Sequence, residues 1–439
     1  MGFLNPAPVP KSILIVTFLI ATGCEPKVSE KSRTFDEYWE PLRQEVQKIG
    51  KPKWRPMLSY LVDLHQRSTH PAQDPFPYPW EELGPGYHAL TFGHWDIVHT
   101  ILDVLPTVPD HARHQILNNL ANQSEQGFLP GSIYLDSPRL HIENKITWNK
   151  HSGHPPLWPV AVQDFVSKFD GDLISNCYEP LVKQIDWYEK NRKAQPNGFY
   201  YEIDSWESGL DDDFRQAYGL NERGAWAFLD ATSHVFQLYD LAAKWAEQLG
   251  YLDDVVKYKN QADKLKKFIQ NKLWDGKDGF FYDFWSIEDP STRVGSFVGM
   301  WPLVVGAATP QQAQRVIDEH LLNPKRFFTK HPISTISIDG RFQLLTWRGP
   351  AWNSMSYWAA RGCLRYDRGD AALKIVESAL DASAAQFERT GTIWEFYHPF
   401  GGRPEDLKRE VTPPHLMPNK DYVGHNPLFA MARIYDELR

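Results

Sequence analysis

Ala225-Trp-Ala-Phe-Leu-Asp-Ala-Thr-Ser-His-Val-Phe-Gln-Leu-Tyr-Asp-Leu-Ala-Ala-Lys-Trp-Ala-Glu-Gln-Leu249 places apolar residues at three- and four-residue steps. That is the period of a helix with a buried face. Gly250 follows where a helix C-terminus needs a left-handed residue. Residues 252–273 repeat the pattern with Lys on the outer side, and 310–321, 351–365 and 370–389 repeat it again. The chain is therefore predicted to be all-α.

Between these helices run long stretches rich in aromatics, Gly, Pro and Asp, at 79–96, 127–157, 195–215, 274–296 and 391–427. A helical bundle has no need of such loops, and loops on a rigid scaffold are where function tends to sit. Helix–loop–helix units recur at roughly 50–60 residues, without a strict repeat. This fits a closed ring of helix pairs better than a bundle, although periodicity alone does not distinguish the two.

No Gly/Ser or Pro linker divides residues 35–439, so they read as one domain. Hydrophobic residues make up 42% of the 439, enough for a large core. The net charge of −8 gives no electrostatic footprint for nucleic acid. There are 17 Trp, and most must fill the core, since aromatics are chiefly core payload. The N-terminus differs in texture. Ser12–Ala21 is an apolar run shorter than the roughly 20 residues that span a bilayer, and it suits a signal-peptide core. Ala21-Thr-Gly-Cys24 after it resembles a lipobox with Cys24 as the lipidated residue, which implies residues 1–24 as signal, 25–34 as polar tether, and an outer-membrane lipoprotein facing the periplasm or exterior. An ordinary cleaved signal is the alternative. Cys177 and Cys363 could pair in an oxidising compartment, but nothing in the sequence puts them close, and they read as two buried free thiols. His151-Ser-Gly-His154 runs into Pro155-Pro156 and is not a metal pair on one helix face; no spacing reads as a metal or cofactor site.

The loops carry motifs in a particular order. They are Phe92-Gly-His-Trp95-Asp96, Gln123-Ser-Glu-Gln-Gly127-Phe-Leu-Pro130, His154-Pro-Pro-Leu157, Trp206-Glu-Ser-Gly209-Leu-Asp211-Asp-Asp-Phe-Arg215, Trp347-Arg348-Gly-Pro-Ala-Trp352 and Ile393-Trp394-Glu395-Phe-Tyr397. Together, over residues 84–427, they resemble glycoside hydrolase family 63 and its trehalase-like relatives. The resemblance implies an (α/α)6 barrel and inverting hydrolysis of an α-glycoside, with Asp211 as general acid and Glu395 as general base. It also implies a sugar-binding wall of Trp95, Asp96, Gln123, His154, Trp206, Gly209, Arg348, Trp352, Trp394 and Tyr397. In size the chain looks like the compact mannosylglycerate or glucosylglycerate hydrolases. Asp213-Phe214 stands where the family signature has Ser-Pro, His154 where Gln is common, and Asp421-Tyr-Val-Gly424-His-Asn-Pro427 where a Gly-Trp segment is usual. These departures bear on the substrate: a glycosylglycerate, trehalose, or an α-glucosyl or α-mannosyl oligosaccharide.

The residues alone leave choices. Asp211–Asp213 can be a solvated acidic turn, Glu207 is a rival acid, and Glu395 can be a buried structural Glu paired with an Arg such as Arg348. A sugar epimerase using His398 or His425, or a glycan-binding lipoprotein without catalysis, would use the same aromatic wall.

Overall fold

The computed structural model describes residues 35–87, 89–135, 147–148, 153–169, 172–194, 199–200, 205–215, 227–409 and 417–439. The signal, Cys24 and the 25–34 tether lie outside the described residues. The helices are α1 Phe35–Val46, α2 Arg55–Ser68, α3 Asp96–Val104, α4 Pro109–Leu120, α5 Trp158–Val166, α6 Asp172–Asn191, α7 Leu229–Leu249, α8 Leu252–Lys272, α9 Trp301–Val305, α10 Pro310–Arg315, α11 Asn353–Arg365, α12 Gly369–Thr390 and α13 Leu428–Leu438; a single turn at Phe284–Glu288 stands between α8 and α9.

The odd helices from α3 onward form an inner ring. α3 packs on α5, α5 on α7, α7 on α9, α9 on α11, α11 on α13, and α13 returns to α3. Outside them, α4 bridges α3 and α5, α6 bridges α5 and α7, α8 lies on α7, and α12 spans α11 and α13 with α2 behind it. Gln312 of α10 bonds to the Gln270 carbonyl of α8. Six inner and six outer helices make an (α/α)6 barrel.

Burial follows from position. All nine residues of α3 and all five of α9 are buried. On α8 the buried residues are Tyr258, Ala262, Leu265 and Ile269, one stripe at helical spacing.

The helix ends follow from local chemistry. α7 stops at Gly250 with φ +78°, while Gly250 N–H and Tyr251 N–H bond to the Glu247 and Ala246 carbonyls, a Schellman closure. Its start is later than the periodicity predicts. Phe228 N–H is held by the Tyr200 carbonyl, and the Asp283 carboxylate takes Leu229 N–H at 2.8 Å, so the helix begins at Leu229. Ala351 exchanges both backbone bonds with Tyr397, which delays α11 to Asn353. Residues 310–321 are not one α-helix. The Thr309–Gln312 capping box starts α10, and from Val316 to Leu321 the turns widen to a π-helix, with His320 Nε2 2.9 Å from the Asp278 carbonyl. Cys177 and Cys363 are free and buried, and burial pushes both thiols up to about 12.

A buried ion cluster ties α2 to α3 and α4. His65 Nδ1 meets Glu81 Oε1 at 2.6 Å, His65 Nε2 meets Asp103 Oδ2 at 3.2 Å, and His111 Nε2 meets Glu81 Oε2 at 2.9 Å. Burial opposes the charge on His65, but Glu81 and Asp103 outweigh it and raise the imidazole to about 9. Burial likewise opposes the charge on Glu81, which the two imidazoles bring down to about 2. The His65 contribution is complete below pH 6.5 and is lost as pH rises through about 9. The Glu81 contribution is complete above pH 4.5 and is lost as pH falls toward 2. Thermal stability is expected to decline from pH 6.5 to 9, by on the order of 1–3 kcal/mol. Melting curves across that span check this; His65→Gln should flatten the alkaline limb, and an unchanged limb would assign it elsewhere.

Candidate active site

The loops at one end of the barrel line a cavity of about 260 Å³. A short antiparallel sheet builds part of its wall: β1 Thr91–Gly93 pairs with β2 Ser132–Tyr134, which pairs with β3 Thr147–Trp148. The β1–β2 register sets Gly93 against Ser132, and Ser132 and Tyr134 both line the cavity. Trp95, Asp96, His154, Trp206, Gly209, Asp211, Trp352 and Glu395 line it too. Asp211 and Glu395, far apart in the chain, thus share one chamber.

The three consecutive aspartates have three different surroundings. Asp213 is buried against Arg215 and accepts hydrogen bonds from Arg215 N–H and the Ser296 hydroxyl. Asp212 accepts Trp347 N–H at 2.9 Å and gives its backbone carbonyl to Arg348 Nε at 2.6 Å, so it pins the Trp347 loop. Of the three, Asp211 is the one that faces the cavity. Its charge is among those that reach the Tyr134 phenol, which burial pushes up. Glu207, the rival acid, is clamped by Arg192 Nε and Nη2 at 2.6–2.9 Å.

Glu395 is buried and faces donors on two sides. Arg409 Nε and Nη2 lie 3.0–3.2 Å from its oxygens, and Asn419 gives its N–H at 3.1 Å and its amide at 2.7 Å to Oε2. A bidentate Arg fixes the plane of a carboxylate. Oε2 carries both Asn419 bonds, so Oε1 is the less occupied oxygen. The Arg partner is Arg409, not Arg348.

Asp96 starts α3 with its Oδ1 accepting the Tyr422 hydroxyl at 2.8 Å. Gly209 has φ +67°, and a Cβ there would stand 2.9 Å from the Trp95 indole and 3.1 Å from Pro155. Glycine lets the Asp211 segment close on Trp95. Trp347 and Trp352 stack at 3.7 Å and 6°, and Trp206 stands at the rim, 45% exposed.

Four residues of the predicted wall lie elsewhere. Gln123 lines a separate groove with Phe128 and Trp187, and its amide bonds to the Gly127 and Pro180 carbonyls. Arg348 holds Asp212 and covers the Phe214 ring at 4.3 Å. Trp394 is buried and donates to Thr390 Oγ1; Tyr397 is buried and donates to Asn426. Sequence reasoning missed Tyr87, Tyr134, Arg409, Asn419 and Tyr422. None sits in a motif with its partner, so only the closed ring reveals them.

Fold and site together define a helical-toroid glycoside hydrolase domain. Residues 92–410 match the mannosylglycerate hydrolase MGH1-like glycoside hydrolase domain, and the chain belongs to that family. The GH63 mannosylglycerate hydrolase from Thermus thermophilus, solved in complex with glucose, has the same fold. Its TM-score is 0.66 at 16% identity, over 90% of this chain and 100% of that one. Neutral trehalase from Saccharomyces cerevisiae superposes with a TM-score of 0.60 at 15% identity, over 80% of this chain and 74% of that one. In sequence, periplasmic trehalase from Salmonella newport is 24% identical over 173 residues, 38% of this chain and 29% of that protein. An uncharacterised Borreliella burgdorferi protein is 24% identical over 168 residues, 36% of this chain and 34% of that protein. The chain spans about a third of the length of these curated relatives.

Proposed function

We propose that the chain hydrolyses an α-glycosidic bond with inversion, Asp211 protonating the leaving oxygen and Glu395 activating the attacking water. One observation carries this reading. Of the carboxyls in the Trp206–Arg215 signature, Asp211 is the one that lines the cavity, and Glu395, far away in the chain, lines the same cavity. Two carboxyls on opposite sides of a sugar, with a water between base and anomeric carbon, are what inversion requires. Arg409 and Asn419 aim Glu395, and Oε1 takes the proton of the water. The Trp347–Trp352 stack and Trp95 give the sugar ring flat apolar walls.

The substrate is an α-glucoside or α-mannoside, as an oligosaccharide, trehalose or a glycosylglycerate. The family match supports the last and the trehalase relatives support the second. The periplasmic relatives support a place in the cell envelope; the lipobox-like Ala21-Thr-Gly-Cys24 is what supports Cys24 as a lipid anchor, with residues 35–439 as the catalytic domain. Among the described residues no helix is long and apolar enough to cross a membrane. The epimerase reading gains nothing from His398. It is not among the cavity residues, and its Nδ1 accepts Phe400 N–H.

The test is a panel of α-linked disaccharides and glycosylglycerates followed by NMR. Inversion releases the β-anomer first. Initial release of the α-anomer would refute the assignment of base and acid, and interconversion of monosaccharides without cleavage would replace hydrolysis with epimerisation.

A further inference from the structure

Asp96 is a buried charge in the cavity wall, and its surroundings are built to hold one of its oxygens. A Cβ at Gly93 would stand 2.3 Å from Oδ2, and one at Gly424 would stand 3.0 Å from Oδ1, so two backbone segments close on the carboxylate. Oδ1 accepts the Tyr422 hydroxyl at 2.8 Å and lies 3.1 Å from His425 Nε2. The other imidazole nitrogen, Nδ1, is 2.7 Å from Ser354 Oγ, and Ser354 N–H returns to the His425 carbonyl at 3.0 Å. Ser354, on the first turn of α11, is fully buried. His425 is 3% exposed, with its ring edge-on to Trp95 at 4.9 Å and to Trp352 at 4.7 Å.

The order Ser–His–Asp is that of a nucleophile relay, but the exposed end is reversed. Asp96 lines the cavity and Ser354 does not. The chain of hydrogen bonds therefore runs from a fixed point in the core to a carboxylate at the ligand. Both contacts fall on Oδ1, while Oδ2 stands 4.0 Å from His154 Nδ1. We propose that His425 is a positioning residue which, anchored by Ser354, holds Asp96 by Oδ1 so that Oδ2 accepts the hydroxyls of the bound sugar ring. This rests on the glycosidase reading above. Burial alone would raise the Asp96 carboxyl; His425 leads the groups that bring it down to about 2.

If the imidazole acts as a donor rather than as filler, the donor must matter more than the shape. His425→Gln keeps an N–H near the Nε2 position and loses the aromatic contacts. His425→Phe keeps the packing on Trp95 and Trp352 and loses the donor. Titrating D-glucose and D-mannose by calorimetry, with kcat and KM on whichever α-glycoside the panel identifies, separates the two. His425→Gln is expected to stay within about 3-fold of wild type in sugar affinity and KM. His425→Phe should weaken both by roughly 10- to 100-fold, the value of a hydrogen bond to a charged group, with kcat changed far less. Ser354→Ala should weaken them a few-fold in the same direction, and it carries the test if His425→Phe melts early. The reverse order of Gln and Phe, or a loss confined to kcat, would overturn the proposal. A wild type that cleaves and binds while His425→Phe matches it would overturn this proposal alone. A wild type that neither cleaves any α-glycoside nor binds either hexose would overturn the glycosidase reading and this one with it.

Discussion

Asp211→Asn should lower kcat by about 10²–10⁴-fold, the usual worth of a general acid, and Glu395→Gln should do the same, with sugar affinity nearly unchanged in both. The two losses should differ in kind. A general acid matters only while the leaving oxygen needs a proton. An aryl α-glycoside with an acidic phenol as leaving group should therefore restore much of the activity of Asp211→Asn and none of that of Glu395→Gln. Asp212→Asn is the internal control. Its carboxyl pins Trp347 N–H, and its substitution should alter KM before kcat. Steady-state kinetics on both leaving groups, with calorimetry for the sugar, reads all three. Near-normal turnover in Asp211→Asn on a poor leaving group would remove it from the mechanism.

The largest stability effect is expected at Arg215→Met. This guanidinium is buried and faces three buried carboxylates. Nη1 lies 3.1 Å from Asp283 Oδ1, Nε lies 3.5 Å from Asp213 Oδ2, and Nη2 is hydrogen-bonded to Asp230 Oδ2. Burial pushes Asp283 up to about 6 even with Arg215 beside it. Removing one partner of a buried ion cluster leaves charge without compensation and costs about 3–5 kcal/mol. Denaturant unfolding should show the midpoint falling by that equivalent. Arg43→Ala, which loses an exposed pair with Asp63, should cost about 1 kcal/mol or less. Equal effects at the two sites would mean that the cluster is hydrated rather than buried.

How much of this is legible in the sequence differs by level. Long amphipathic helices are readable because an outer helix must alternate its faces: 252–273 shows the pattern and Leu252–Lys272 forms. The short inner helices α3, α5 and α9 escape such a reading. They are buried on nearly every side, so they show little polar face, and their few turns lie among aromatic loops. Closure of the ring is not readable either, because the contact of α13 with α3 leaves no local pattern. In the site, motif order singles out Asp211, and of the three consecutive aspartates it is the one that lines the cavity. Sequence reasoning extends the wall too far at Arg348, Trp394 and Tyr397, which share motifs with lining residues but are turned to other contacts, and at Gln123, whose whole motif lies away from the cavity. It stops short at Arg409 and Asn419, whose partner Glu395 reaches them across a loop.

The return of α13 onto α3 also sets when the molecule can work. Helix α3 is made more than 300 residues before Leu428–Leu438, so the inner circle stays open until that last inner helix has been synthesised. Asp96 and His425 stand on either side of that seam. A growing chain can form helical hairpins one after another, but it has no assembled sugar chamber to act on its surroundings. Contacts between such distant segments are also slow to find, because the intervening loop must be closed before they repay it. Activity should therefore appear in one late step of refolding, after most of the helical signal has returned.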